Sequence, residues 1–313
     1  MEDMTLNFMN NHANPGRSVL VVGSSGRLGK SLVEMLEHDP RVNRVLGLGR
    51  KDLDLGSAEA IERRLADLDY DTVFITGALT GVDYCETHEA EAFAVNATGP
   101  GRIAEISAEK GAHVTYVSTD MVFDGENPDP YVETDAAEPI SVYGASKLAG
   151  EQAVLAASDA FLVARVSWVF GPGRPAFPEW IIGQACSNTD LTLPGNKIAC
   201  PTYTLDLVEW LNALVLGQAE GPARGIFHLC NSGPCTWRDW GQFCIDTARD
   251  AGFPVIAGEI RGIPVDTVAA FVARRPVQSA MNTEKFSGLT GIHPRHWQEA
   301  LRDAVMRNAC TAC

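Results

Sequence analysis

From residue 18 onward, short apolar runs alternate with amphipathic stretches. The runs at 18–22, 44–48, 72–76, 113–117, 161–166 and 226–229 are rich in Val and Ile and mostly lack an alternating polar face. Strands buried on both faces read this way, as in a parallel sheet covered by helices on each side. Helical spacing of apolar residues fills the intervals 28–37, 58–68, 89–111 and 143–157. Strand and helix in alternation predict an α/β fold with a Rossmann-type, doubly wound parallel sheet. After Trp168 the pattern breaks. Gly171-Pro172-Gly173-Arg174-Pro175 reads as a loop, and prolines at 178, 194, 201, 234, 254, 264, 276 and 294 punctuate the rest. A smaller C-terminal lobe, interleaved with the last elements of the sheet, is expected there. The predicted division assigns 17–170 with about 201–230 to the sheet domain, and about 171–200 with 231–313 to the smaller lobe. Residues 1–16, polar and Asn-rich, read as a disordered lead-in.

Composition narrows the class. The 313 residues are 45% hydrophobic and 21% charged, which excludes collagen-like, low-complexity and disulfide-scaffold chains. The formal net charge of −15 removes any generic attraction to nucleic acid or to an anionic membrane. An anionic ligand would therefore need a local arrangement of donors. The eight cysteines are scattered, without the paired CxxC spacing of a zinc site. Cys310 and Cys313 form a lone CxxC that reads as an incidental tail. The N-terminus opens with acids and has no apolar core of a signal peptide, and no apolar run approaches membrane-spanning length. A reduced, cytoplasmic protein is the expectation.

Gly23-Ser24-Ser25-Gly26-Arg27-Leu28-Gly29 lies between the first predicted strand and the first predicted helix. In such a turn the first glycine permits the tight bend, the second lets backbone approach a pyrophosphate, and the third permits close helix–strand packing. The helix N-terminus then offers unpaired N–H groups and a positive dipole end to the phosphates. An ordinary tight turn is the plainer reading, but the strand–turn–helix position favours a nucleotide. The second strand ends at Gly49-Arg50, where an NAD-preferring site usually has an acid for the ribose 2′-OH. Arg50 would instead pair with a 2′-phosphate, with Arg27 as a second contact. NADPH is expected over NADH, with NADH as the alternative and solvated surface arginines as the bland reading.

Tyr143 and Lys147 stand at i and i+4 on one predicted helix face. A lysine held there would stabilise the phenolate and pull the tyrosine from about 10 toward neutrality. Such a phenol can protonate a carbonyl oxygen as hydride reaches the carbon. Val117-Ser118-Thr119-Asp120 ends a predicted strand, where open α/β sheets place ligands, so the Thr119 hydroxyl can bond the same oxygen.

Glycine turn, strand-end threonine and YxxxK together resemble the extended short-chain dehydrogenase/reductases. Ser118-Thr119-Asp120-Met121-Val122-Phe123-Asp124-Gly125 is similar to the STDYVFDG signature of dTDP-4-dehydrorhamnose reductases. The similarity continues in Val142 to Glu151, Arg165-Val166-Ser167-Trp168-Val169, Pro201-Thr202-Tyr203-Thr204, Gly225-Ile226-Phe227-His228-Leu229, Arg275-Pro276 and Gly291-Ile292-His293-Pro294. It runs in order from about residue 18 to 305. The resemblance implies that Gly26, Arg27 and Leu28 contact the pyrophosphate, Asp54 and Leu55 the adenine, and Thr76, Gly77 and Ala78 the centre of the cofactor. It implies Thr119, Tyr143 and Lys147 as catalytic residues, Tyr143 and Lys147 also contacting the cofactor, with Thr119, Asp120, Met121 and Trp168 lining a nucleotide-sugar site. Without the resemblance, Trp168 reads as a core tryptophan.

Two departures bear on substrate. Met121 stands where the family has a tyrosine, offering soft apolar contact in place of a hydroxyl. Ile75-Thr76-Gly77-Ala78-Leu79-Thr80 departs from the family's alanine-rich segment. Some members hold Mg²⁺ with a glutamate at the position of Ser31, a poor ligand for a hard cation, so no metal is expected. The expected function is NADPH-dependent reduction of a keto group, most simply the 4-keto group of a nucleotide-activated 6-deoxy sugar. The alternatives are a non-sugar ketone, or an NADP-binding regulatory subunit like the methionine adenosyltransferase β-subunit. A dehydratase or epimerase is disfavoured, because a dehydratase follows Thr with Asp-Glu and here Asp120 precedes Met121. A homodimer is an open expectation.

Overall fold

The computed structural model describes residues 16–311, with side chains to Arg307. The lead-in expected over 1–16, except its last residue, and the thiols of Cys310 and Cys313 lie outside the described residues. A six-stranded sheet forms the centre, built from β1 (Arg17–Val22), β2 (Val42–Leu48), β3 (Thr72–Ile75), β4 (His113–Thr119), β5 (Leu162–Val166) and a sixth strand, Gly225–His228. Every pairing is parallel, and the order is β2-β1-β3-β4-β5 followed by the sixth strand. All six apolar runs read from the sequence are these strands. Val19, Leu20, Val21 and Val22 are each 0–1% exposed, which explains the missing polar alternation.

Alternate residues of one strand serve different layers, as the two-residue period of a strand requires. Val19 and Val21 face a core shared with Leu28, Leu32 and Leu36 of α1 (Arg27–Leu36) and with the helix Thr204–Val215. Leu20 and Val22 face the opposite core, with Ile61 and Leu65 of α2 (Ala58–Ala66), Ile103 and Val154. The predicted helix at 89–111 is interrupted: Glu89–Phe93 and Gly99–Glu109 are α-helical, and Ala94–Thr98 is a π-turn. The extra residue there turns buried Asn96 inward. Its side chain bonds Leu79 N and O at 2.8 and 3.0 Å and the Ser146 hydroxyl at 3.0 Å. Apolar periodicity carries no sign of such an insertion.

A third core gathers Ile181, Trp240, Ile245 and Trp297 from beyond the loop at 171–175 around Phe170, which precedes it. The helices Phe177–Ala185, Trp237–Asp250 and Trp297–Thr311 surround it, joined by short strand pairs such as Arg261–Ile263 with Thr192–Pro194. This part was read only as irregular from its prolines; those prolines sit in connections, in a helix first turn (Pro178) and at the end of a short strand (Pro194). Among the described residues no helix is long and apolar enough to cross a membrane.

One buried ion pair ties the sheet to the helix Val142–Ala157. Glu151 accepts from Arg165 Nε at 2.9 Å and Nη2 at 2.7 Å, and Ser118 donates to the same carboxylate. Both side chains are nearly inaccessible, at 3% and 2%. Removing one partner strands the other charge in a low-dielectric core. Glu151→Leu is therefore expected to cost about 3–5 kcal/mol in urea unfolding, and the Glu151→Leu/Arg165→Met double variant much less. A double variant losing as much as the two singles summed would contradict this account.

Candidate active site

The strand order reverses between β1 and β3, and open α/β sheets bind ligands outside the carboxyl ends of strands at such a point. A cleft of about 1200 Å³ opens there, larger than the roughly 300–1,000 Å³ of a single-ligand pocket. Its volume accommodates two ligands side by side.

The glycine turn forms one end. Gly23 has φ +93°, and a Cβ on it would lie 2.3 Å from Gly77 N. A Cβ on Gly29 would lie 2.2 Å from the Gly23 carbonyl oxygen. Gly29 is thus a packing residue that lets α1 approach β1 and does not itself line the cleft; Gly23, Gly26, Arg27 and Leu28 do. Gly26 begins α1 with no side-chain cap, and the first turn carries no acid. Its N–H groups and dipole are left facing the cleft, favourable to an anion. Thr76, Gly77 and Ala78 form the floor beside β3, with Asp54 and Leu55 at the adjacent wall. Arg50, exposed at the end of β2, lines the same end. Arg27 behaves differently from the expected second 2′-phosphate contact. Its guanidinium donates to the carbonyls of Gly171 and Arg174, joining the glycine turn to the loop at 171–175.

At the other end, Thr119 finishes β4 and its hydroxyl accepts from Met121 N at 3.2 Å. The helix Val142–Ala157 is capped by Ser141, which accepts from Gly144 N at 3.2 Å. A Cβ on Gly144 would lie 2.2 Å from the Met121 carbonyl oxygen, so glycine here lets the helix abut the turn after β4. That approach brings Tyr143 to Thr119. Lys147, one turn on, donates to the Val117 carbonyl at 2.7 Å, and its Nζ lies 3.9 Å from the centre of the Tyr116 ring.

The protonation states differ from expectation. Burial pushes the Tyr143 phenol well above its ordinary value, against the opposing hydrogen bonding of Thr119. Burial also lowers Lys147 to about 7, with Glu151 holding it up. The expected depression of the phenol by Lys147 is not found here. The i, i+4 spacing does put both on one face, but Tyr143 packs with Cys85, Ala92 and Met121 while the amine turns toward Val117. A phenol held protonated at neutral pH is the form that donates a proton.

Trp168 lines the cleft and has φ +42°, the one non-glycine residue with positive φ among the described residues. It stacks on Trp240 at 5.2 Å. Such backbone strain in a non-glycine residue concentrates at functional sites, which argues against a plain core tryptophan. Asp120 and Met121 line the same end and are buried.

Sequence reasoning missed several participants. Lys197, Trp237 and Arg275 also line the cleft. Asp83, on the short helix Val82–Thr87, accepts from Arg275 Nη2 at 2.5 Å and from the Val272 and Ala273 amides at 2.7 and 2.9 Å, tying the segment 272–275 to that helix. Arg275 and these bonds hold its carboxyl down at about 2. These partners lie about 190 positions apart in the chain, so no local pattern announces them. Cys200 is buried beside Cys230, and among the described residues no group of three or more His, Cys, Asp or Glu is arranged to hold a metal ion.

Comparison with known proteins agrees with the motifs. The family model described as the RmlD substrate binding domain matches residues 17–310. A dTDP-4-dehydrorhamnose reductase of Sinorhizobium fredii is 33% identical over 292 residues, covering 91% of this chain and 95% of the relative. Another, of Mycobacterium tuberculosis, is 36% identical over 302 residues, covering 93% of each. The crystal structure of a dTDP-4-dehydrorhamnose reductase from Bacillus anthracis in complex with NADP superposes with a TM-score of 0.84 at 27% identity, covering 93% of this chain and 99% of that one.

The low value for Lys147 has a stability consequence with a definite sign. An unfolded lysine titrates near about 10.4, so charging Lys147 in the fold costs stability in full below about 7. The cost fades as pH rises from there toward the unfolded value. Lys147→Met is therefore expected to raise Tm relative to the parent more at pH 6 than at pH 9. Thermal melts at both pH values check it, and an equal difference would count against the assignment.

Proposed function

The chain belongs to the RmlD substrate-binding family, and from that premise we propose that it reduces the 4-keto group of a nucleotide-activated 6-deoxy sugar with NADPH. It is an NAD(P)H-dependent oxidoreductase by class. The observation that carries the finer reading is the meeting of Thr119, Tyr143 and Trp168 at one end of a cleft whose other end is a glycine cradle on a helix N-terminus. The cradle suits a dinucleotide: a side chain at Gly23 or Gly29 would collide with backbone, and the uncapped amides of α1 await an anion. In this reading, the sheet domain (17–170 with about 201–230) holds the cofactor and the smaller lobe (about 171–200 with 231–313) closes on the sugar.

Bound NADPH supplies a hydride to the carbonyl carbon. Tyr143, kept protonated by burial, gives its proton to the carbonyl oxygen, while the Thr119 hydroxyl swings its one proton from Asp120 Oδ1 to that oxygen and polarises it. To stabilise the phenolate left behind, Lys147 turns its amine from the Val117 carbonyl toward Tyr143, one helical turn away. Trp168 offers an aromatic face to the sugar ring, Asp120 accepts from a sugar hydroxyl, and Met121 gives apolar contact. Arg50 supplies the preference for a 2′-phosphate.

NADPH oxidation is expected with a nucleotide 4-keto-6-deoxy sugar and not with simple ketones. Tyr143→Phe should lower kcat by about 10²–10⁴-fold while leaving the NADPH Kd near its original value. Arg50→Ala should weaken NADPH and leave NADH binding unchanged. A full substrate panel without turnover, or a silent Tyr143→Phe, would overturn the reductase reading; an unaltered cofactor preference in Arg50→Ala would remove only the cofactor assignment.

A further inference from the structure

Lys197 is 1% exposed, yet it lines the substrate end of the cleft, and neither the sequence motifs nor the mechanism uses it. Its Nζ donates to Ser279 Oγ at 2.7 Å. Ser279 in turn donates to Asp120 Oδ2 at 2.6 Å, and Asp120 Oδ1 accepts from Thr119 Oγ1 at 3.2 Å. The four side chains are each no more than 6% exposed and come from three separate stretches of chain. They make one continuous line from a buried ammonium to the threonine beside Tyr143. Lys197 also sits 5.8 Å from the centre of the Trp168 ring, so it adjoins both substrate walls.

We propose that Lys197 is a positioning residue for substrate: through Ser279 it holds the Asp120 carboxylate oriented so that it accepts from a sugar hydroxyl. The inference rests on the reductase reading of the same cleft. A carboxylate 3% exposed needs a compensating positive charge, and Lys197 supplies it one hydroxyl away. The lysine feels the pairing in return. Burial lowers it to about 8, with Asp120 and Cys200 holding it up and Arg275 acting with the burial. Its place is fixed by backbone, since Trp237 N donates to the Lys197 carbonyl at 3.1 Å and Ser279 N to the Ile198 carbonyl at 2.9 Å. Ser279 is fully buried and does not line the cleft, so its effect on substrate must pass through its neighbours.

Steady-state kinetics and NADPH binding of Lys197→Met, Lys197→Gln and Ser279→Ala, each alone and with Asp120→Asn, test this. KM for the 4-keto nucleotide sugar should rise about tenfold or more in Lys197→Met and Ser279→Ala, and less in Lys197→Gln, which keeps a donor. kcat should change less than KM, and the NADPH Kd not at all. In the Asp120→Asn background the further change should largely vanish, because the line is already cut. If Lys197→Met does not fold, Ser279→Ala and Lys197→Gln carry the same comparison. An active parent whose KM is unmoved by Ser279→Ala, or effects that multiply independently with Asp120→Asn, would overturn the proposal. A parent inactive on every 4-keto nucleotide sugar would instead overturn the reductase reading on which it rests.

Discussion

The cleft exists because three stretches of backbone approach within contact distance at the carboxyl ends of β1 and β3. Gly23 touches Gly77, and Gly29 touches the Gly23 carbonyl, at separations that leave no space for a Cβ. Bring any of these points apart and α1 tilts away from the sheet, taking with it the row of amides that can meet a phosphate. Gly144 makes the equivalent approach at the other end, seating the helix Val142–Ala157 on the turn after β4. Both ends of the cleft are thus set by glycines whose value is the absence of a side chain.

Around that frame, an acidic protein places its positive charge with care. Lys147 and Lys197 are both buried, and each faces a carboxylate: Glu151 for one, Asp120 for the other. The surface remains net negative, while Arg50, Arg174, Arg275 and the two lysines gather along one cleft. Two anionic ligands can therefore be drawn to a chain whose overall charge of −15 would repel them. The same burial holds the Tyr143 phenol protonated and the two lysines near neutrality, so the site works with groups displaced from their ordinary titration ranges.

Much of the scaffold was legible because its physics is local. Strands buried on two faces must be apolar throughout, and all six were readable as such. The glycine turn, Thr119, and the Tyr143–Lys147 pair were legible because each needs a fixed spacing within one strand, turn or helix. The π-turn at Ala94–Thr98 was not, since one extra residue leaves helical periodicity almost intact. The helices after residue 176 were obscured by prolines that mark their connections. Arg27 was identified as a site residue but with a different partner, because its choice of the 171–174 carbonyls depends on where a distant loop lies.

The sequence by itself determined the sheet, the glycine turn, and the hydroxyl, phenol and amine that line one end of the cleft. Those follow from short-range spacing and from which side chains can tolerate burial. Only the tertiary structure decided the protonation states, the strained placement of Trp168, the strap from Asp83 to Arg275, and the line from Lys197 through Ser279 to Asp120. Each of these depends on desolvation or on contact between residues far apart in the chain. Such contacts arise when segments after residue 170 pack against the residues at the carboxyl ends of the strands, and a one-dimensional pattern does not encode that distance.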